Sequence, residues 1–266
     1  MRIVLEQIST GPSVEENKKR IVDALAHGAS LGADLVLLPE ACVQPFGLDR
    51  KAHTESLDGP FAKSVRKLAS ELDIVAVLGL ATRASDTKRY NTLLVSGRSV
   101  HEGYRKIHLF DTPFVRESQG TEAGDTACLL TIGDITFGLA LCYDIRFPHL
   151  FSLLAENGAT CMLVAADWAA GPNKCDQWRL LARARAIDTT SWVFACGQAK
   201  SAANPAFGIG HSMIVAPDGV ICQELDEKEG YLCADLERDR VRAVREILPV
   251  LGNKKQIRTI HRIEIH

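Results

Sequence analysis

The sequence contains no apolar stretch long enough to cross a membrane and no pattern typical of an export signal. Residues 1–6 reach a charged side chain too early to form the apolar core of a signal peptide. Internal repeats, low-complexity segments and polar linkers are missing as well. We therefore expect a cytoplasmic protein that makes no membrane contact.

The chain also lacks a strong excess of charge of either sign. Its 31 Lys and Arg residues and 33 Asp and Glu residues give a formal net charge of −2. Without a basic excess, we expect no nucleic-acid partner. Four arginines near the C-terminus alternate with acidic residues, and we expect them to lie on a solvated helix rather than in a binding patch. They are Arg238, Arg240, Arg242 and Arg245.

The eight cysteines lack the spacings of a metal site or of a disulfide framework. None forms a C-x-x-C pair, and Gly208-Ile-Gly210 lacks the rest of a dinucleotide-binding fingerprint. We therefore expect no metal, no cofactor and free thiols in a reducing compartment. Five cysteines lie among apolar residues and are predicted to be buried. They are Cys128, Cys161, Cys196, Cys222 and Cys233.

The length and the pattern of the chain predict an α/β protein. Its 266 residues suffice for a single large domain over 1–266. Short apolar runs typical of buried strands, such as residues 161–164, alternate with helical patterns such as residues 177–188, and hairpins are added. Residues 248–266 show little helical pattern, and either packing on a partner subunit or a loosely ordered terminus fits them.

Cys142 is the residue that the sequence most clearly marks as a candidate nucleophile. It follows an apolar run over residues 135–141, typical of a strand that is buried on both faces. A helix is predicted from Pro148, so Cys142 lies in a sharp strand-to-helix turn at the carboxyl end of a strand. Such a turn exposes a nucleophile beside backbone N–H groups, although a free cysteine is more often a small core residue.

Two other segments place charged residues at strand ends. Glu40 follows the buried run at residues 35–38, and Lys106 lies in or just after a third extended segment. A carboxylate can take a proton from a thiol if burial raises its pKa. A fixed ammonium can stabilise the negative oxygen that forms when the thiol attacks a carbonyl. The three groups together are sufficient for cleavage of a C–N bond through a thioester.

Three separated motifs carry a resemblance to a known family. They are Leu-Leu-Pro-Glu40, Tyr-Arg-Lys106-Ile-His and Leu-Cys142-Tyr-Asp-Ile-Arg-Phe-Pro. In this order they are similar to the signatures of the nitrilase, or carbon–nitrogen hydrolase, superfamily. The likeness continues through Asn91-Thr-Leu, through residues 183–188 and through residues 208–219.

The resemblance implies roles and an architecture. The catalytic glutamate, lysine and cysteine of the family fall on Glu40, Lys106 and Cys142, and a further family glutamate falls on Glu117. The implied fold is a four-layer α-β-β-α sandwich, and the implied assembly is a homodimer or a larger homo-oligomer. The nearest branch is the Nit-like amidases, which include ω-amidases and deaminated glutathione amidases.

Two segments depart from that branch, and the first is the stretch between Asp111 and Glu117, which is shorter than expected for the branch. In the second, Asp167-Trp168 replaces a small or apolar pair, and it follows a predicted strand that directs it towards the pocket. Tyr143 is expected to supply a backbone N–H to an oxyanion. Arg146 can hold a substrate carboxylate or pair with Asp144, which we expect to be structural.

Two sets of alternatives remain open from the sequence. His108, His149 or His211 can replace Glu40 as the base in a Cys–His pair. The function that the residues favour is hydrolysis of a small linear amide that bears a carboxylate. Hydrolysis of a nitrile or an N-carbamoyl group by the same residues is the alternative, as is a non-catalytic interaction protein that keeps the fold.

Overall fold

The computed structural model describes residues 1–46 and 54–264. Within these residues, thirteen strands form two sheets. The strands are β1 (Arg2–Gln7), β2 (Leu35–Leu37), β3 (Val75–Arg83), β4 (Arg89–Gly97), β5 (Val100–Arg105), β6 (Thr121–Glu122), β7 (Leu129–Ile132), β8 (Ile135–Leu141), β9 (Cys161–Ala166), β10 (Trp192–Gly197), β11 (Met213–Val215), β12 (Ile221–Glu224) and β13 (Gly230–Asp235).

Six α-helices and two short 3₁₀ helices accompany the strands in the described residues. The α-helices are α1 (Val14–Ser30), α2 (Pro60–Glu71), α3 (Pro148–Glu156), α4 (Lys174–Thr189), α5 (Arg238–Ile247) and α6 (Val250–Asn253). The 3₁₀ helices are Glu117–Gln119 and Cys142–Arg146. The side chain of Ser13 accepts a hydrogen bond from the backbone N–H of Glu16, which explains where α1 begins.

Both sheets have parallel strands at their centres. The first sheet has the order β13-β1-β2-β3-β4-β5, with β6 beside β4, and its strands β1, β2 and β3 are parallel. The second sheet has the order β12-β11-β10-β9-β8-β7, and its strands β8, β9 and β10 are parallel. Because β4 is antiparallel to both β3 and β5, strand β5 ends at the same edge as β2 and β3.

Three apolar layers separate the four layers of secondary structure. Side chains such as Leu37 and Phe137 fill the space between the two sheets. Helices α1 and α2 cover the outer face of the first sheet, where Phe61 is buried. Helices α3 and α4 cover the outer face of the second sheet, where Phe151 and Trp178 are buried. The molecule is therefore an α-β-β-α sandwich, and the predicted fold is confirmed.

Several local predictions need correction. Cys222 is exposed because β12 is an edge strand, and Cys128 and Cys233 are only half-buried. Helix α4 begins at Lys174, three residues before the predicted start. Arg245 is not solvated like its neighbours on α5, because its guanidinium donates hydrogen bonds to the carbonyls of Ala159 and Thr189.

Contrary to the prediction, the C-terminal segment 248–266 contains a short helix, α6, and its Leu251 packs against the apolar layer beside α3 and α4. Residues 254–264 are exposed, and residues 265 and 266 lie outside the described residues. After α6, three isoleucines are exposed, namely Ile257, Ile260 and Ile263. Of the helices in the described residues, none is both long enough and apolar enough to span a bilayer.

Candidate active site

Glu40, Lys106 and Glu117 form a buried charge network between two strand ends of the first sheet. The Lys106 ammonium donates hydrogen bonds to Glu40 Oε1 at 3.0 Å and to Glu117 Oε2 at 2.9 Å. Lys106 and Glu40 are 1% and 0% exposed. Burial by itself would lower the pKa of Lys106, but the charges of Glu117 and Glu40 outweigh burial and raise this pKa well above its ordinary value.

Asn91 on β4 joins the two carboxylates from the other side. Its amide nitrogen donates hydrogen bonds to Glu40 Oε1 at 2.7 Å and to Glu117 Oε1 at 2.9 Å. Burial would raise the pKa of Glu117, but the Lys106 charge and the hydrogen bonds from Phe110 and Asn91 hold it below its ordinary value. The network is thus charged at neutral pH at both Glu117 and Lys106.

Cys142 comes from the second sheet and faces this network. It follows β8 and has a φ of 43°, a left-handed conformation that is strained for any residue except glycine. Burial is the main reason that the pKa of its thiol lies well above the ordinary value, and the negative charge of nearby Glu40 adds to the effect. The resting thiol therefore keeps its proton until a base removes it.

The backbone of Asp167 lies between the Cys142 sulfur and the Glu40 carboxylate and contacts both. Its N–H donates a 2.8 Å hydrogen bond to Glu40 Oε2, and its carbonyl lies 3.9 Å from the Cys142 sulfur. Asp167 follows β9, which is the parallel neighbour of β8. The backbone of Asp167 therefore orients Glu40 and borders the nucleophile.

A cavity of about 370 Å³ opens onto these groups. Its size lies within the range of about 300–1,000 Å³ that is typical of small-molecule sites. Cys142 is among the described residues that line it, and most of the others are acidic, basic or aromatic. The acidic ones are Glu40, Glu117 and Asp167, the basic ones are Arg89, Lys106, Arg116, Arg146 and Lys174, and the aromatic ones are Phe46, Phe110, Phe114, Tyr143, Trp168 and Phe207.

The residues that follow Cys142 also border the cavity. Tyr143 is the second residue of the 3₁₀ helix, where the backbone N–H has no partner within the helix. The Arg146 guanidinium lies 5.0 Å from the Trp168 ring and donates a 2.7 Å hydrogen bond to Gln177 Oε1. The pairing of Arg146 with Asp144 that the sequence allowed is absent from the described residues.

Asp144 instead holds the turn together. Its buried carboxylate accepts hydrogen bonds from the Tyr104 hydroxyl at 2.7 Å and from the Leu141 N–H at 2.9 Å. Asp144 Oδ1 also accepts a hydrogen bond from the backbone N–H of His108 at 3.0 Å and lies 2.7 Å from His108 Nδ1. The carboxylate thus connects the segment after Lys106 to the residue before Cys142, which is the structural role expected for it.

The three candidate histidines lie elsewhere. His108 is held by Asp144 and stacks on Phe147 at 3.7 Å between ring centroids, and His149 packs edge-on against His108. Nδ1 of His211 lies 3.0 Å from a carboxylate oxygen of Glu224. None of the three is among the described residues that line the cavity. The geometry therefore favours Glu40 over a Cys–His pair.

One cluster of potential metal ligands lies away from the cavity. The ligand atoms of Cys175, His211 and Glu224 lie within 4.8 Å of one another. The Arg179 guanidinium already donates a 2.6 Å hydrogen bond to Glu224 and lies 3.4 Å from His211 Nδ1. An ion-pair network therefore accounts for this cluster.

Comparison with known proteins gives the family. The model of the carbon-nitrogen hydrolase family matches residues 4–246. This chain is a carbon–nitrogen hydrolase. It is 36% identical to hydrolase Rv0480c of Mycobacterium tuberculosis, over 96% of this chain and 95% of that protein. It is 30% identical to the deaminated glutathione amidase of Escherichia coli O157:H7, over 96% of this chain and 97% of that protein.

Solved structures agree with this assignment. Nit3 of Saccharomyces cerevisiae superposes with a TM-score of 0.85 at 26% identity, over 94% of both chains. The hydrolase therefore belongs to the Nit-like branch of the nitrilase superfamily, which confirms both the superfamily and the branch that the sequence resembles.

Sequence reasoning missed some of the residues that surround the cavity. Asn91 was recognised only as part of a family pattern, although a polar residue inside a buried strand is itself a signal that it has a polar partner. Phe46 and Phe114 gave no signal, because loops bring them to the cavity and the sequence does not specify how those loops fold. Lys174 reaches the cavity as the first residue of α4.

Proposed function

We propose that the hydrolase is an amidase that cleaves a small linear amide bearing a carboxylate, through a thioester on Cys142. The observation that carries this proposal is the convergence of Glu40, Lys106 and Cys142 on one cavity, with both charged groups buried. The similarity to a deaminated glutathione amidase supports the choice of an amide over a nitrile or an N-carbamoyl substrate.

The first half-reaction acylates the thiol. Glu40 takes the Cys142 proton while the sulfur bonds to the amide carbon, and the carbonyl oxygen becomes an oxyanion. The third N–H of the Lys106 ammonium and the backbone N–H of Tyr143 are available to stabilise that oxygen. The C–N bond then breaks as the protonated Glu40 gives its proton to the leaving nitrogen, and ammonia or an amine departs.

The second half-reaction frees the enzyme. A water molecule attacks the thioester carbon while Glu40 takes a proton from it. The C–S bond breaks, the carboxylic acid leaves, and Cys142 recovers its proton from Glu40. Glu117 and Asn91 support this cycle as positioning residues, because they hold Lys106 and Glu40 in place through the hydrogen bonds described above.

Mass spectrometry and ammonia release together test the proposal. The protein is incubated with α-ketoglutaramate, deaminated glutathione and succinamate, and with 3-cyanopropionate and N-carbamoyl-β-alanine as the competing substrate classes. We expect ammonia from a simple amide, a free amine from deaminated glutathione, and an acyl mass increment on the peptide that contains Cys142. Cys142→Ala should lower the rate by more than about 10³-fold.

The matched control is Cys175→Ala, which removes a half-buried thiol outside the cavity. Turnover confined to the nitrile or the N-carbamoyl compound would contradict the proposed substrate class. Turnover of an amide by Cys142→Ala at the wild-type rate would contradict the proposed mechanism.

A further inference from the structure

Two cations line the cavity next to the nucleophile and are not used by the proposed cycle. Arg146 ends the 3₁₀ helix that begins at Cys142, and Lys174 is the first residue of α4. The Lys174 ammonium lies 5.8 Å from the centroid of the Phe110 ring, which borders the same cavity. The two charges are close enough that Arg146 lowers the pKa of Lys174, an effect second to burial.

Neither cation forms an ion pair with an acid among the described residues. The hydrogen bond from Arg146 goes to Gln177 Oε1, which is a neutral amide oxygen. Across the described part of the chain, no carboxylate oxygen lies within 4.0 Å of the charged nitrogens of Arg146 or Lys174. Two of the acids that line the cavity, Glu40 and Glu117, are both already engaged by Lys106.

The position of Lys174 in its helix is unfavourable for a positive charge. The N-terminus of an α-helix carries a partial positive charge, so cations are stabilising at the other end. Asn173 precedes Lys174 with a φ of 58° and makes no side-chain capping hydrogen bond. Burial, a neighbouring guanidinium and the helix dipole therefore all oppose the positive charge of Lys174, and the attraction of an anion in the cavity would offset them.

The rigidity of Arg146 adds a second argument. Its guanidinium lies over the Trp168 ring and donates a hydrogen bond to Gln177, so two contacts hold this planar group at the edge of the cavity. A fixed guanidinium is suited to bind a carboxylate through two parallel hydrogen bonds, whereas a lysine acts as a point charge. The two side chains thus offer complementary contacts to one carboxylate.

We propose that Lys174 and Arg146 together bind the free carboxylate of the substrate, and that Lys174 determines the preference for amides that carry one. This inference rests on the proposed amidase function and adds the residue that selects the substrate. The Trp168 ring would form the wall behind the guanidinium, which gives a purpose to the departure at Asp167-Trp168.

A matched pair of amides tests the role of Lys174. Succinamate and butyramide differ only in that a carboxylate replaces a methyl group, so the ratio of their kcat/KM values reports carboxylate recognition. We expect Lys174→Gln to lower this ratio by about 10- to 100-fold, mainly through the KM for succinamate. Lys174→Arg should restore part of the ratio, and Lys63→Gln on the exposed face of α2 should leave it at the wild-type value.

Two further measurements separate binding from structure. The Tm of Lys174→Gln should equal or exceed that of the wild type, because an unfavourable charge is removed. Calorimetric titration with succinate should show weaker binding to Lys174→Gln than to the wild type. This titration needs no turnover, so it tests the carboxylate site even if neither amide is hydrolysed and the proposed function fails.

An unchanged ratio in Lys174→Gln, or an equal loss for both amides, would overturn the inference. Equal succinate affinity in the two proteins would overturn it as well.

Discussion

Replacing Lys106 by Met should destabilise the protein in a way that depends on pH. The variant leaves Glu40 and Glu117 buried and hydrogen-bonded to the same Asn91 amide nitrogen, with no cation between them. Two carboxylates this close cannot both remain ionised, so one must bind a proton in the folded state.

The magnitude follows from the cost of that proton. A glutamate has an ordinary pKa of 4.5. At pH 7, which is about 2.5 units above this pKa, keeping one glutamate protonated costs about 3.4 kcal/mol, because each unit is worth about 1.36 kcal/mol. At pH 5 the same protonation costs only about 0.7 kcal/mol. The cost at pH 7 agrees with the loss of about 3–5 kcal/mol that is typical when one partner of a buried ion pair is removed.

The sign of the pH dependence distinguishes the variant from the wild type. In the variant, a carboxyl pKa is raised in the folded state, so stability falls as pH rises from 5 to 7. In the wild type, the lowered pKa of Glu117 contributes stability above pH 4.5 that is lost only as pH falls through the folded pKa. The raised pKa of Lys106 contributes stability below pH 10.5 that is lost only as pH rises through its folded value.

Urea denaturation followed by tryptophan fluorescence at pH 5, 6 and 7 measures the effect. We expect the difference between wild type and Lys106→Met to grow by about 1.4 kcal/mol per pH unit. Adding Glu117→Gln should remove most of this slope, because a neutral amide needs no proton, and Lys63→Met serves as the exposed control. A difference that is constant with pH, or that shrinks as pH rises, would refute the reasoning.

Two other predictions concern the turn and the tail. Asp144→Asn places an amide N–H₂ among hydrogen-bond donors from Tyr104, Leu141 and His108, so we expect the free energy of unfolding in urea to fall by about 1–3 kcal/mol and kcat to fall as well. An unchanged kcat would show that the turn holds Cys142 in place without this carboxylate. The exposed isoleucines after α6 predict that the full chain forms a homodimer or a larger assembly. Truncation after Lys254 should then lower the number of subunits per assembly, as determined from the mass in light scattering. An unchanged mass would show that the tail does not pack on a partner subunit.

Much of the fold follows from local pattern. The apolar runs before Glu40 and Cys142 and the extended segment before Lys106 each form a strand that ends within three residues of the position that the pattern indicated. That these strand ends meet depends on strand order and direction, which the pattern does not contain. The family resemblance supplied this arrangement, and the contact between Lys106 and Glu40 agrees with it.

The remaining details depend on long-range contacts. The exposure of Cys222 follows from its position on an edge strand, and nothing near it in the sequence marks that edge. Arg245 is half-buried because it donates hydrogen bonds to the carbonyls of Ala159, before β9, and of Thr189, at the end of α4, both more than fifty positions away along the chain. Lys174 reaches the cavity because the loop after β9 ends earlier than the helical pattern indicates.

Because the thiol and the carboxylate of the site come from different sheets, the rate of turnover depends on the relative position of the two sheets. Glu40 and Lys106 follow strands of one sheet, whereas Cys142 follows a strand of the other. A relative slide of about 1 Å can slow an enzyme by about 100-fold. Moderate pressure or a low concentration of urea should thus abolish the amidase activity while the circular dichroism spectrum remains that of the native protein.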